Sequence, residues 1–144
     1  MISIVGGGWF GCHIAMTLQE RGIPFTLYEA KDRLLEGASG YNQNRLHLGF
    51  HYPRSADTRQ QSKSGFHQFL RRYPALSVEV PDNIYAVCAR ESLIDFDTYI
   101  AIMASSGLEF DLESPAEYGL VNVDGCVRCG ERVILTSKAR ECFT

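Results

Sequence analysis

Three glycines and one carboxylate carry the first chemistry that the residues of this chain offer. Gly6, Gly8 and Gly11 stand at G-x-G-x-x-G spacing directly after the apolar run Ser3-Ile4-Val5. In that pattern the first glycine turns the chain sharply off a strand. The second leaves the backbone bare for a diphosphate, and the third lets the next helix pack close to the strand. The opening turn of such a helix presents free N–H groups and a partial positive charge of roughly half a unit to the phosphates. Glu29 closes a second apolar stretch, Pro24-Phe25-Thr26-Leu27-Tyr28, about 20 residues past the glycines, where such units carry an acid. A carboxylate there accepts hydrogen bonds from both hydroxyls of an adenosine ribose, each contributing about 1.5–3 kcal/mol. The same charge repels a 2′-phosphate, so FAD or NAD fits better than NADP. The bland alternative is a glycine turn in an α/β protein that holds no nucleotide.

A second concentration of hydrogen-bonding and aromatic side chains runs from Tyr41 to Ser55 and includes Asn42, Asn44, Arg45, His47, Phe50, His51 and Tyr52. An ordinary surface loop has no need of these types at this density, whereas a loop lining a site does. Two metal-like spacings are poor chelators. Cys126 and Cys129 form a C-x-x-C pair, but no second ligand pair is evident, and residues three apart on a strand point to opposite faces. His47 and His51 are four apart, which suits a metal on a helix, and Gly49 and Pro53 oppose a helix there. No metal is expected.

The elements that must position these groups are legible in outline. Cys12, Ala15, Met16 and Leu18 have helical spacing, with Gly22 at the C-terminal cap position. Strand, glycine turn, helix and strand thus close into one unit. Residues 30–40 read as a connector with one short helical turn. Ser55 caps a helix with Asp57 in its first turn, Phe66, Phe69, Leu70 and Tyr73 on one face, Arg71 and Arg72 in the last turn, and Pro74 after it. Asn83 to Ala89 reads as a buried strand. Asp95 caps a helix that buries Phe96, Tyr99, Ile100 and Met103 and closes at Gly107. A short strand is expected at Leu108-Glu109-Phe110. Leu120 to Val123 and Cys126 to Arg128 are expected to form a hairpin about the turn Asp124-Gly125. Strand character returns at Val133-Ile134-Leu135, and a last helix starts near Ser137, with an apolar face of Ala139, Cys142 and Phe143 that nothing after it completes.

Bulk properties narrow the class. The chain has 144 residues, 45% of them hydrophobic and 22% charged, the composition of an ordered domain rather than a disordered segment. A net charge of −3 gives no basic surplus for nucleic acid or an anionic membrane surface. No apolar run is long enough for a membrane span, and the N-terminus lacks the positive region of a signal sequence. Five cysteines without a disulfide-like rhythm read as free thiols. A cytoplasmic location is the default expectation.

The motifs Gly6-Gly7-Gly8-Trp9-Phe10-Gly11, Glu29, Ala38-Ser39-Gly40-Tyr41-Asn42 and Arg45-Leu46-His47-Leu48-Gly49-Phe50-His51-Tyr52-Pro53 together resemble the FAD-dependent oxidoreductases of the D-amino-acid oxidase type. In its loop the chain is nearest to members acting on amino acids or 2-hydroxy acids, such as L-2-hydroxyglutarate oxidase. The resemblance implies that Gly6, Gly8 and Gly11 hold the FAD pyrophosphate, with Trp9 and Phe10 beside them, and that Glu29 holds the adenosine ribose. It puts Arg33 beside the adenosine end, Ser39 and Asn42 at the pyrophosphate or ribityl chain, and Asn44, Arg45 and His47 toward the flavin ring. The implied reaction is hydride transfer from a small-molecule substrate to flavin N5, with Arg45 clamping a carboxylate and His47 taking a proton. Otherwise His47 serves the loop as a hydrogen-bonding side chain.

The fold expected is α/β, the N-terminal part of a Rossmann-type FAD-binding domain followed by an incomplete α+β substrate domain. The expected division is residues 1–75 for the FAD-binding portion with its connecting helix and 76–144 for the partial substrate domain. Family members are longer, so the chain is expected to be truncated, with the missing C-terminal portion or self-association as its partner. A strand that normally flanks the first one is then absent, which leaves Ile2, Ile4 and Val5 at a sheet edge. The other functional class left open is a non-catalytic nucleotide-binding or interaction module that retains only the dinucleotide-binding unit.

Overall fold

The computed structural model describes residues 1–144. In chain order its elements are β1 (Ile2–Val5), α1 (Trp9–Glu20), β2 (Phe25–Tyr28), β3 (Arg45–Leu46), α2 (Ala56–Arg72), β4 (Ser77–Glu79), β5 (Ile84–Cys88), α3 (Phe96–Ser105), β6 (Phe110–Glu113), β7 (Val123–Cys129), β8 (Arg132–Ile134) and α4 (Thr136–Phe143). Short 3₁₀ turns lie at Ala38–Gly40 and Pro115–Tyr118. The fold is mixed α/β, and the chain gathers into two compact units. One is Met1–Asn44 with Ile134–Thr144, the other Arg45–Val133. The connecting helix α2 therefore packs within the second unit and α4 within the first.

In the first unit β1 and β2 pair in parallel, from Ile2↔Phe25 to Val5↔Tyr28, as two strands joined by a crossover helix must. This sheet has two strands. Ile4 is buried on β1 while Ile2 and Val5 are exposed. Gly6 takes the turn off β1 at φ +98°, a conformation open to glycine. At Gly11 a Cβ would stand 1.9 Å from the Gly6 carbonyl oxygen, so this helix approaches the turn only because position 11 has no side chain. α1 ends where Gly22, at φ +65°, donates its N–H to Gln19 O at 3.0 Å. The apolar face of α4 is used inside the same unit. Ala139 is fully buried, the rings of Phe143 and Trp9 meet edge to face at 5.5 Å, and Arg140 Nε donates to Leu34 O at 3.0 Å. Cys142 is exposed.

The second unit holds an antiparallel sheet in the order β5-β7-β6 and a small sheet in the order β3-β8-β4. α2 starts at Ser55, whose hydroxyl accepts from Thr58 N. α3 starts at Asp95, whose carboxylate accepts from Thr98 N at 2.7 Å, and the chain leaves it through Gly107 at φ +64°. The core is Phe50, Val87, Tyr99, Met103, Leu108, Val127 and Cys129, with the Tyr99 hydroxyl donating to Phe50 O at 3.0 Å.

Two expected elements are corrected. Leu108 is a core residue before the strand, and the strand itself is Phe110–Glu113. The hairpin does not form. Asp124 and Gly125 lie inside the continuous strand β7, which pairs with β5 on one side and β6 on the other, Val127 facing both Tyr85 and Leu112. The ladder to β5, joined by β6 from Cys126 onward, outweighs the local turn preference of Asp-Gly. The pair still breaks the regular pattern. Val87 faces Gly125 and Cys88 faces Val123, leaving Asp124 as the extra residue of a bulge. Asp124 Oδ2 accepts from Phe96 N at 3.0 Å. Gly125 is required for close approach, since a Cβ there would stand 2.2 Å from a ring carbon of Phe96.

G125A should therefore destabilise the chain by about 1–3 kcal/mol through overpacking. Thermal unfolding checks this against G130A, where a Cβ meets nothing within 4 Å and the midpoint should barely move.

Candidate functional site

The dinucleotide-type residues of the first unit form a preformed turn. Gly8 is the N-cap of α1 and has no side chain to cap it, so the positive end of the helix dipole stands at this glycine. Beside the position a Gly8 Cβ would take, Ser39 Oγ lies at 3.0 Å, and it accepts from Trp9 N at 3.2 Å. Glu29 reaches back to the same turn. Its Oε2 accepts from Gly7 N at 2.5 Å and its Oε1 from Lys31 N at 2.9 Å. Those two N–H groups, Lys31 first, hold its carboxyl below the usual range. A helix start with glycine at its N-cap and a half-buried acid at the same turn fit the diphosphate and ribose of an adenine dinucleotide.

The remaining candidates of this unit are engaged locally. Arg33 Nη2 pairs with Glu36 Oε1 at 2.6 Å. Asn42 Nδ2 donates to Ala38 O at 3.1 Å, closing the 3₁₀ turn, and Asn42 Oδ1 accepts from Asn44 N at 2.6 Å. Asn44 has φ +52°, which asparagine tolerates better than most residues, and its Oδ1 accepts from Thr136 Oγ1 at 3.0 Å. Phe10 is exposed.

Arg45 and His47 belong to the second unit, where they converge on Glu131, a residue that sequence reasoning missed. Glu131 is 1% exposed. Its Oε1 accepts from Leu48 N at 2.7 Å and Gly49 N at 3.4 Å. Its Oε2 accepts from the Tyr85 hydroxyl at 2.8 Å and lies 3.1 Å from His47 Nδ1 and 3.7 Å from Arg45 Nη2. Arg45 Nη2 also donates to Asn83 Oδ1, and its guanidinium sits 5.3 Å above the Tyr85 ring. Asn83 Nδ2 in turn donates to Cys129 Sγ at 3.2 Å. The His47 ring stacks on His51 at 5.9 Å and meets Tyr52 edge-on at 6.2 Å.

The electrostatics follow from burial and donors. Burial raises the Glu131 carboxyl, but hydrogen bonds from His47, Tyr85 and Leu48 N outweigh it and hold the group below its ordinary value. Burial, with Glu131 adding to it, raises the Tyr85 phenol strongly. Burial pushes the Cys129 thiol up to about 11. No group of three or more His, Cys, Asp or Glu side chains could hold a metal ion. Sequence offered little signal for the missed residues. Glu131 follows Gly130 between two strands, where an acid reads as a solvated turn, and Tyr85 reads as one more core aromatic.

Because the folded state holds the Glu131 carboxyl below its ordinary value of 4.5, its contribution to stability is complete above that pH. It is lost as the pH falls below it, where the unfolded chain binds the proton first. E131A should cost about 3–5 kcal/mol at neutral pH, as removal of one partner of a buried ionic network does. E131Q should flatten the acid limb. Denaturant unfolding from pH 7 to pH 3 measures both.

Comparison with known proteins gives these two groups their context. A family model described as FAD dependent oxidoreductase, DAO, matches residues 1–128. The chain is 53% identical over 142 residues to the FAD-dependent monooxygenase FPY4 of Fusarium mangiferae, a match covering 99% of this chain and 38% of that protein. It is 44% identical over 85 residues to the FAD-dependent monooxygenase kojA of Aspergillus flavus, covering 59% of this chain and 20% of that protein. The same figures hold for the probable FAD-dependent monooxygenase kojA of Aspergillus oryzae. The chain thus spans well under half the length of these relatives. With a glycine turn and acid that fit an adenine dinucleotide, and a family match running through both units, the chain belongs to the DAO family of FAD-dependent oxidoreductases.

Proposed function

We propose that the whole protein takes a hydride from a small amino or 2-hydroxy acid, and that this chain supplies the front of both its cofactor and its substrate sites. In this reading residues 1–75 are a Rossmann-type FAD-binding portion with its connecting helix, and residues 76–144 begin the substrate domain. The observation that carries it is the turn at Gly6–Gly11, with glycine at the helix N-cap and with Glu29 bonded to Gly7 N.

Gly6, Gly8, Trp9, Phe10 and Gly11 would hold the diphosphate and Glu29 the ribose hydroxyls, with Arg33 at the adenosine end. Ser39 and Asn42 would hold the pyrophosphate or ribityl chain, and Asn44 would approach the flavin ring. When bound, FAD supplies hydride acceptance at N5 and reoxidation by an outside acceptor. Arg45 binds the substrate carboxylate, and His47 removes the proton from its hydroxyl or amine. Both keep access to solvent, 28% and 29% of their side chains exposed, while their shared partner Glu131 has 0%.

The relatives' names support a second reading, in which one oxygen atom of dioxygen ends on the product. Labelled dioxygen separates the two. Label appearing in hydrogen peroxide alone favours the first, and label in the product favours the second.

E29A in the whole protein should weaken FAD binding about 10–100-fold, the loss of one charge-assisted bond, read by flavin fluorescence titration. Undiminished flavin binding sinks the cofactor assignment. H47N should lower kcat about 100-fold, the scale of a lost general base, and R45K should raise KM. Turnover unchanged in both removes the pair from the reaction.

A further inference from the structure

Glu131 is the one fully buried acid of the second unit's polar cluster, and the proposed chemistry leaves it without a task. Its two oxygens face different partners. Oε1 is occupied by the Leu48 and Gly49 N–H groups, which can only donate. Oε2 receives the Tyr85 hydroxyl at 2.8 Å and faces His47 Nδ1 at 3.1 Å. We propose that Glu131 is a positioning residue: its carboxylate holds the His47 ring as the Nδ1–H tautomer and leaves Nε2 unprotonated, able to act as a base. The use of Nε2 in turnover rests on the catalytic reading above; the hold on the ring does not.

The physical chain is short. A carboxylate that takes two backbone N–H groups and a phenol O–H, with a guanidinium 3.7 Å away, is kept ionised, in line with its lowered pKa. An ionised carboxylate only accepts. The imidazole nitrogen facing it must then carry the hydrogen, and in a neutral ring the other nitrogen has none. Tyr85 does not reverse this. Its phenol is kept protonated by burial and by Glu131, and the carboxylate is the nearer acceptor, with the Tyr85 hydroxyl 3.4 Å from His47 Nδ1. Leu48 and Gly49 directly follow His47, so one carboxylate fixes the backbone and the ring together. His51 stacked at 5.9 Å and Tyr52 edge-on at 6.2 Å limit the ring's remaining rotation.

The E131Q variant tests this sharply. The new amide must keep its oxygen toward the Leu48 and Gly49 donors, which turns its NH2 toward His47 Nδ1. A donor there forces the hydrogen onto Nε2. The experiment is nitrogen NMR of the flavin-loaded whole protein with histidines labelled at both ring nitrogens, at about pH 9, well above the ordinary imidazole value. H47N identifies the His47 signals. The expected result is the Nδ1–H pattern in the wild type and in Y85F, and the Nε2–H pattern in E131Q. With it, kcat of E131Q should fall roughly 10–100-fold while KM stays within about twofold, the pattern of a misplaced general base. A wild-type ring in the Nε2–H form, or an E131Q ring unchanged from wild type, overturns the proposal. If E131Q fails to fold, the wild-type and Y85F spectra still decide it. Full turnover by H47N sinks the catalytic reading alone, because the tautomer readout does not depend on turnover.

Discussion

A carboxylate with no contact to water must find donors on every side or lose its charge, and Glu131 finds them in two strands and the segment after one of them. Its partners are the backbone after β3, a tyrosine of β5 and an arginine of β3. Stripping a carboxylate of water costs several kcal/mol even after relaxation, so the cluster is worth forming only when all of these donors are in register. That requirement couples the loop from Arg45 to Gly49 to the central sheet. It also turns two solvent-facing side chains, Arg45 and His47, into groups of defined orientation. None of the buried side-chain polar atoms lacks a partner, which is the condition under which a polar cluster rigidifies rather than weakens its surroundings.

The first unit is built on the opposite device, the absence of side chains. At Gly11 the hypothetical Cβ would sit well inside van der Waals contact distance of the Gly6 carbonyl oxygen, and Gly6 itself has positive φ. Close approach brings α1 down on the end of β1, where Ser39 Oγ accepts from Trp9 N. Glu29 then spans from the end of β2 to the Gly7 amide, so the acid and the helix start share one small area. Leu35, fully buried, donates its N–H to Gly7 O at 2.8 Å and fixes the far side of the same turn.

Much of this was legible residue by residue. The caps Ser55 and Asp95, the closing glycines at 22 and 107, and the parallel unit around α1 follow from local rules that tertiary contacts did not disturb. The hairpin at Asp124-Gly125 failed because those rules see only neighbours in sequence. The strand continues through both residues along β5, with Gly125 paired to Val87 and Asp124 left as the bulge whose carboxylate accepts from Phe96 N.

From the sequence alone came the glycine spacing, the acid that ends β2 and the loop rich in arginine, histidine and asparagine. Those features depend on residue type and short separation, so composition and order suffice to find them. Only the tertiary structure decided which groups meet Arg45 and His47. Glu131 lies 84 residues from His47 along the chain, and Tyr85 lies 38 residues from it. No periodicity links such positions. They come together because β5 pairs with β7 and β3 with β8, with Glu131 between β7 and β8, and a buried charge then selects the donors that surround it.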